Sequence, residues 1–89
     1  MRGDTSVGKR KAMTEKDDFL NPGEYGKHPF NGVWYARPPV ERMGVANLDS
    51  HDVTEHEDGT ITVAPSILIT GRGDYGWHGY LEKGVWREI

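Results

Sequence analysis

Short runs of alternating apolar and polar residues, separated by glycine, proline and asparagine, restrict this chain to strands and turns. Thr60-Ile61-Thr62-Val63 alternates polar with apolar side chains, the pattern of a half-buried strand. His51 to His56 reads as its partner, with Val53 inward and Glu57-Asp58-Gly59 as the turn between them. Ser66 to Thr70 reads as a further strand after Pro65 resets the backbone. Trp77 to Leu81 and Val85 to Ile89 read as a second hairpin around Glu82-Lys83-Gly84. Strands this short and regularly spaced predict a mainly β fold. It is a small antiparallel sheet, barrel- or sandwich-like, behind a flexible N-terminal tail.

The first half is less regular. Residues 1–18 have few apolar side chains and no helical or strand period, which predicts a flexible tail of mixed charge with a basic start. The alternative is a short helix over Ser6 to Asp18. Residues 19–89 then form a single small β-rich domain. From Phe19 to Pro39, turn formers punctuate aromatic residues, and Val33-Trp34-Tyr35-Ala36 is the first regular run, a strand stopped by Pro38-Pro39. Val40 to Leu48 is ambiguous, because Gly44 interrupts any period.

With 89 residues the chain makes one domain at most, and its buried surface is modest. Three Trp, four Tyr and two Phe must therefore share one core with the aliphatics. Those expected inside are Ile61, Val63, Ile67, Leu68, Ile69, Leu81 and Val85. Cysteine is absent, so disulfides and thiolate metal sites are excluded. A net charge of −3 argues against nucleic-acid binding by bulk electrostatics. The charged N-terminus lacks the apolar stretch of a signal peptide, and no apolar run approaches a membrane span. A cytoplasmic location is expected.

Several motifs invite a chemical reading. Gly3-Asp4-Thr5-Ser6-Val7-Gly8-Lys9-Arg10 approaches a phosphate-binding loop, but Arg10 replaces the hydroxyl that would ligand magnesium and no strand precedes it. Arg-Gly-Asp occurs at residues 2–4 and 72–74, where Gly and Asp also suit a turn. His51 and His56, five apart on a strand, face opposite ways, which disfavours a shared metal ion. Ser66 follows a proline and does not sit in a nucleophile elbow. Asp74 and His78 can meet across the glycine-rich loop, as an acid–base pair or as a plain orienting hydrogen bond.

Along β-period, Trp77, Gly79 and Leu81 share one face of their strand, while His78, Tyr80 and Glu82 share the other. The candidate binding surface is Arg72, Asp74, Tyr75, Trp77, His78 and Tyr80, from the loop and the strand after it. Tyr, Trp and Arg are the residue types that dominate interface hot spots. The simpler reading keeps Trp77 in the core. No catalytic residue, cofactor or metal ligand is assigned.

The segments Asp58-Gly59-Thr60-Ile61-Thr62-Val63, Pro65-Ser66-Ile67, Trp77-His78-Gly79 and Lys83-Gly84-Val85-Trp86 together resemble a family of short phage and bacterial proteins. Its function is unassigned, and it is known as domain of unknown function 6527. The resemblance covers residues 58–89. Several members carry Cys before the His, which implies a metal site in them; here Trp77 stands at that position. The resemblance implies a phage or prophage origin and supplies no activity. The leading expectation is a small interaction module that binds a host or viral protein without catalysis. Two alternatives stand beside it. One is a metal-dependent small-molecule binder or enzyme using His78 with His51 or His56. The other is a nucleic-acid partner using the basic tail and exposed aromatics.

Overall fold

A computed structural model describes residues 5–41, 43–70 and 76–89. Among these residues, nine strands form two sheets: β1 Thr5–Val7, β2 Lys9–Arg10, β3 Glu24–Lys27, β4 Trp34–Ala36, β5 Ala46–Asn47, β6 Asp52–Glu55, β7 Ile61–Thr70, β8 Gly76–Glu82 and β9 Val85–Glu88. The five-stranded sheet has the order β1-β9-β8-β7-β6, and the four-stranded sheet the order β2-β3-β4-β5. All neighbours are antiparallel except β2 and β3. The fold is mainly β and sandwich-like.

The turns that set the register are those the sequence marks. Glu82 pairs with Val85 across a two-residue loop. Lys83 and Gly84 there both have positive φ, 49° and 76°, the requirement of a tight hairpin that matches strand twist. Between β6 and β7, the Asp58 carboxylate accepts hydrogen bonds from the Thr60 amide and hydroxyl at 3.0 and 2.6 Å. Those bonds hold the Asp58 pKa below the ordinary aspartate range.

The core lies between the sheets. Trp86, Trp77, Leu81, Ile61, Val63 and Ile67 come from the larger sheet, and Tyr25 and Ala36 from the smaller. Met43 and Leu48 join them from the flanks of β5. Trp77 meets Trp86 edge-on, with ring centroids 5.4 Å apart. Gly79 makes room for this pair: a Cβ there would lie 2.5 Å from the Trp77 ring and 2.5 Å from the Arg87 carbonyl oxygen. The Trp86 indole donates to the Gly23 carbonyl at 2.9 Å and so ties the sheets together. Burial pushes the Tyr25 phenol above its ordinary range.

Gly8 is where the chain leaves one sheet and enters the other. Its amide donates to Gly84 O at 2.7 Å. A Cβ at Gly8 would stand 2.8 Å from the Trp86 indole nitrogen and 2.9 Å from the Gly84 carbonyl oxygen. The glycine of the phosphate-loop-like stretch thus answers to a close backbone approach.

Four sequence expectations differ from the structure. Val85, expected in the core, is only half-buried and faces outward, because its neighbour Trp86 takes the inward position. Thr5–Val7 and Lys9–Arg10, placed in the flexible tail, are strands paired with β9 and β3. A segment without its own apolar period can still complete sheet edges by backbone hydrogen bonds. Leu68, expected in the core, is 63% exposed, because strict alternation turns it outward between buried Ile67 and half-buried Ile69. Ser66–Thr70 is not a separate strand, since β7 runs unbroken through Pro65. Pairing moves from Val63↔Leu81 to Ile67↔Gly79, so β7 gains two residues on β8 in a bulge. Two extra residues preserve the facing, and Val63 and Ile67 both point inward.

The outer face of the four-stranded sheet is covered by the chain itself. Tyr25 and Ala36 point to the core, so their neighbours Gly26 and Tyr35 point away from it. Met13 lies over Gly26, where a Cβ would stand 2.8 Å from its sulfur. Met13 and Leu20 are buried by this arrangement, outside the central cluster. Arg37 holds the cover in place by donating to Leu20 O, Met43 O and Glu41 O, each at 2.9 Å.

Candidate functional site

The outer face of the five-stranded sheet is built differently. Cross-strand partners in an antiparallel pair share a face, so register determines who stands beside whom. Leu68 is paired with His78, and the Ile89 amide donates to His78 O at 2.9 Å. Tyr80 is paired with Arg87, and Arg87 in turn with Thr5. Val85 is paired with Val7. Because Trp77, Leu81 and Trp86 face inward, these residues face out. Val7, Leu68 and Ile89 are 87, 63 and 60% exposed, which places three large aliphatics on one face.

Polar contacts organise the space between them. The Arg87 guanidinium lies 4.6 Å from the Tyr80 ring centroid, in a cation–π contact, and reaches Glu82 at 3.5 Å. Ser66 Oγ is 2.7 Å from His78 Nε2. His51 Nε2 lies 3.3 Å from the Ser66 carbonyl oxygen, and its Nδ1 is buried without a partner among the described residues. The bulge in β7 explains this convergence. It displaces Ser66 from regular pairing, toward a histidine of β8 on one side and one before β6 on the other.

The sequence candidates fall into three groups. His78 and Tyr80 stand on the outer face, as their alternation predicts. Trp77 does not; at 3% exposure it belongs to the core, so the surface expected to contain it is smaller. Arg72, Asp74 and Tyr75 lie outside the described residues, as do both Arg-Gly-Asp triplets and any meeting of Asp74 with His78. Thr70 and Gly76, which flank residues 71–75, are paired and share a face with the Leu68–His78 pair. Sequence reading missed Leu68, Ser66, Arg87 and Val7.

The chemistry available here is limited. A serine hydroxyl on a histidine is half of a nucleophilic arrangement. Among the described residues no carboxylate is hydrogen-bonded to His78 to orient it. Among the described residues no group of three or more His, Asp and Glu side chains is placed to hold a metal ion. His51 and His78 both reach Ser66, whereas His56 is engaged elsewhere, 2.7 Å from Thr62 Oγ1. Two cations of the basic N-terminal segment are already matched. Arg10 bonds Glu55 at 2.6 Å, and Lys11 bonds Asp17 at 2.6 Å. Among the described residues no helix is long and apolar enough to cross a membrane.

No family model, no curated protein and no solved structure matches this chain.

Proposed function

We propose that this chain is a small phage-type interaction module that binds a host or viral protein through the outer face of its five-stranded sheet, without catalysis. The observation that carries the reading is the composition of that face. Three exposed aliphatics share it with the Tyr80–Arg87 stack: Leu68 and Ile89 beside His78 on one side of the stack, and Val7 beside Val85 on the other. Aromatic and arginine anchors set among apolar neighbours are what interface hot spots are made of, and a clustered apolar face marks an interaction surface. The phage attribution, and with it the cytoplasm of an infected bacterium as the place of action, rests on the family resemblance over residues 58–89.

The test is differential capture from bacterial lysate. Wild-type protein and a Leu68→Gln/Tyr80→Ala variant are immobilised side by side, with Phe30→Ala as a control at an exposed aromatic elsewhere. A partner specific to this face is retained by the wild type and the control. It loses at least about 2 kcal/mol of binding, or about thirtyfold in affinity, with the double variant. Equal capture by all three proteins rejects this face as the binding surface.

A further inference from the structure

We propose a second, separate site: a chamber on the opposite side of the sandwich that takes a small cationic amphiphile, an apolar body carrying one ammonium group. The cover over the four-stranded sheet does not close completely. Between it and the sheet remains a cavity of about 400 Å³, walled by Met13, Phe19, Leu20, Tyr35 and Val45. Asp18, His28 and Asn31 supply its polar lining. The volume lies in the range of small-molecule sites, and an apolar chamber with a few convergent polar groups is their usual construction. Phe19 and Val45 are 61 and 47% exposed, so the chain leaves apolar surface in water where a ligand would cover it.

The charge of the lining selects the ligand. Among the described residues, Asp18 is the only carboxylate in the walls, and no lysine or arginine stands there with it. Its basic neighbour is His28, whose Nε2 lies 3.6 Å from Asp18 Oδ2, longer than a hydrogen bond. His28 Nδ1 accepts the Phe30 amide at 3.1 Å. An amide nitrogen only donates, so in this geometry Nδ1 carries no proton and the ring brings no positive charge to the carboxylate. Two cations approach Phe19 from outside the chamber, and both are engaged. Lys11 bonds Asp17 and the Phe19 carbonyl, and Arg37 is held by the carbonyls of Leu20, Glu41 and Met43. Rings stand beside the carboxylate. His28 and Tyr35 meet edge-on with centroids 6.3 Å apart, and Phe19, which already draws the Arg37 guanidinium to 5.8 Å, is the third. Aromatic faces next to a carboxylate attract an ammonium, whereas an anion would meet Asp18 in repulsion. Asp18 is exposed, so a ligand's ammonium keeps contact with water there while its apolar body enters against Leu20 and Val45.

The probe is octylammonium, titrated into the full chain at neutral pH and followed by NMR. Saturable shifts of the Met13, Leu20 and Val45 methyl resonances are expected. Octanol offers the same apolar body without charge, and octanoate offers it with the opposite charge. Octanoate binds at least about fivefold more weakly than octylammonium. Asp18→Asn weakens octylammonium by about fivefold, the upper end of what an exposed ion pair contributes, and leaves octanol binding unchanged. Val45→Ser weakens both probes, and Leu68→Gln, on the other face, weakens neither. Asp18 and Val45 are exposed, and unchanged thermal midpoints certify that their variants fold. Absence of saturable binding overturns the proposal, as does octanoate binding as tightly as octylammonium. Insensitivity to Asp18→Asn or to Val45→Ser overturns it too. Loss of binding in Leu68→Gln alone assigns the probe to the other face and equally overturns it.

Discussion

On the four-stranded sheet, the outward residues Gly26 and Tyr35 lie beneath Met13 and Leu20, two residues buried by a segment with no strand of its own. On the five-stranded sheet, the outward residues Leu68, His78 and Arg87 are exposed, and Tyr80 is half-buried under its arginine. The same strategy of alternation produced both faces. What differs is the fate of the outward row: one is closed by the chain, the other is presented. A small domain with little core to spare gains from covering apolar surface. The face that keeps exposed leucine, isoleucine and valine is therefore where binding is argued.

The strongest way to break this comparison is on β8 itself, where inward and outward residues alternate. Trp77→Ala removes a core ring packed on Trp86 and is expected to cost about 3–5 kcal/mol of stability. Tyr80→Ala, three residues along and facing out, is expected to cost no more than about 1 kcal/mol, the value of its stack with Arg87. Chemical denaturation measures both. Equal losses would mean that Tyr80 is structural and the outer face is not free for a partner.

A second comparison sets one leucine of each outer face against the other. Leu20→Ala is expected to cost about 2–3 kcal/mol, the lower part of the range for buried leucine, because its segment has no strand pairing and can relax. Leu68→Ala is expected to stay within about 0.5 kcal/mol. Denaturant midpoints in the two variants, with unchanged slopes, check this. A neutral Leu20→Ala would show that the cover is loosely held.

The smallest effect concerns the ion pair that joins the start of the cover to the other sheet. Arg10 of β2 bonds Glu55 of β6, and that hydrogen bond, followed by the charge of Arg10, holds the Glu55 carboxyl below the ordinary glutamate range. A lowered folded-state pKa stabilises the fold above the unfolded-state value, and the contribution disappears as pH falls through the folded one. The stabilisation is thus lost on acidification below the usual carboxylate range, and it is small because both partners are exposed. Carboxyl NMR titration is expected to give Glu55 a depressed midpoint that Arg10→Gln returns toward normal. An unchanged midpoint in the variant would remove the ion pair from the account.

The strands of the second half were legible because period-two alternation and turn chemistry agree there. Thr60–Val63, Glu82-Lys83-Gly84 and the split of Trp77 from His78 each follow from local pattern. The first half was opaque for a physical reason. Met13 and Leu20 are isolated apolar residues in a polar segment, and their burial depends on a groove made by β3 and β4. Tertiary contact decides such positions, and no local period announces them. Leu68 was misplaced because three consecutive apolar residues, Ile67-Leu68-Ile69, resemble a strand buried on both faces. Of the site, His78 and Tyr80 could be read from alternation alone. The Ser66–His78 contact could not, since it depends on a two-residue bulge that Pro65 signals only as an interruption.

The contrast between a covered and a presented face is tested most directly by paramagnetic relaxation from a soluble, uncharged gadolinium chelate. The account predicts strong enhancement at the Leu68 and Val7 methyls and at the Tyr80 ring. It predicts weak enhancement at the Leu20 and Met13 methyls and at the Gly26 amide, matching their burial. Strong enhancement at Gly26, Met13 and Leu20, together with low order parameters across residues 5–18, would contradict it. The N-terminal segment would then be the flexible tail its composition suggests, and both outer faces of the sandwich would be open.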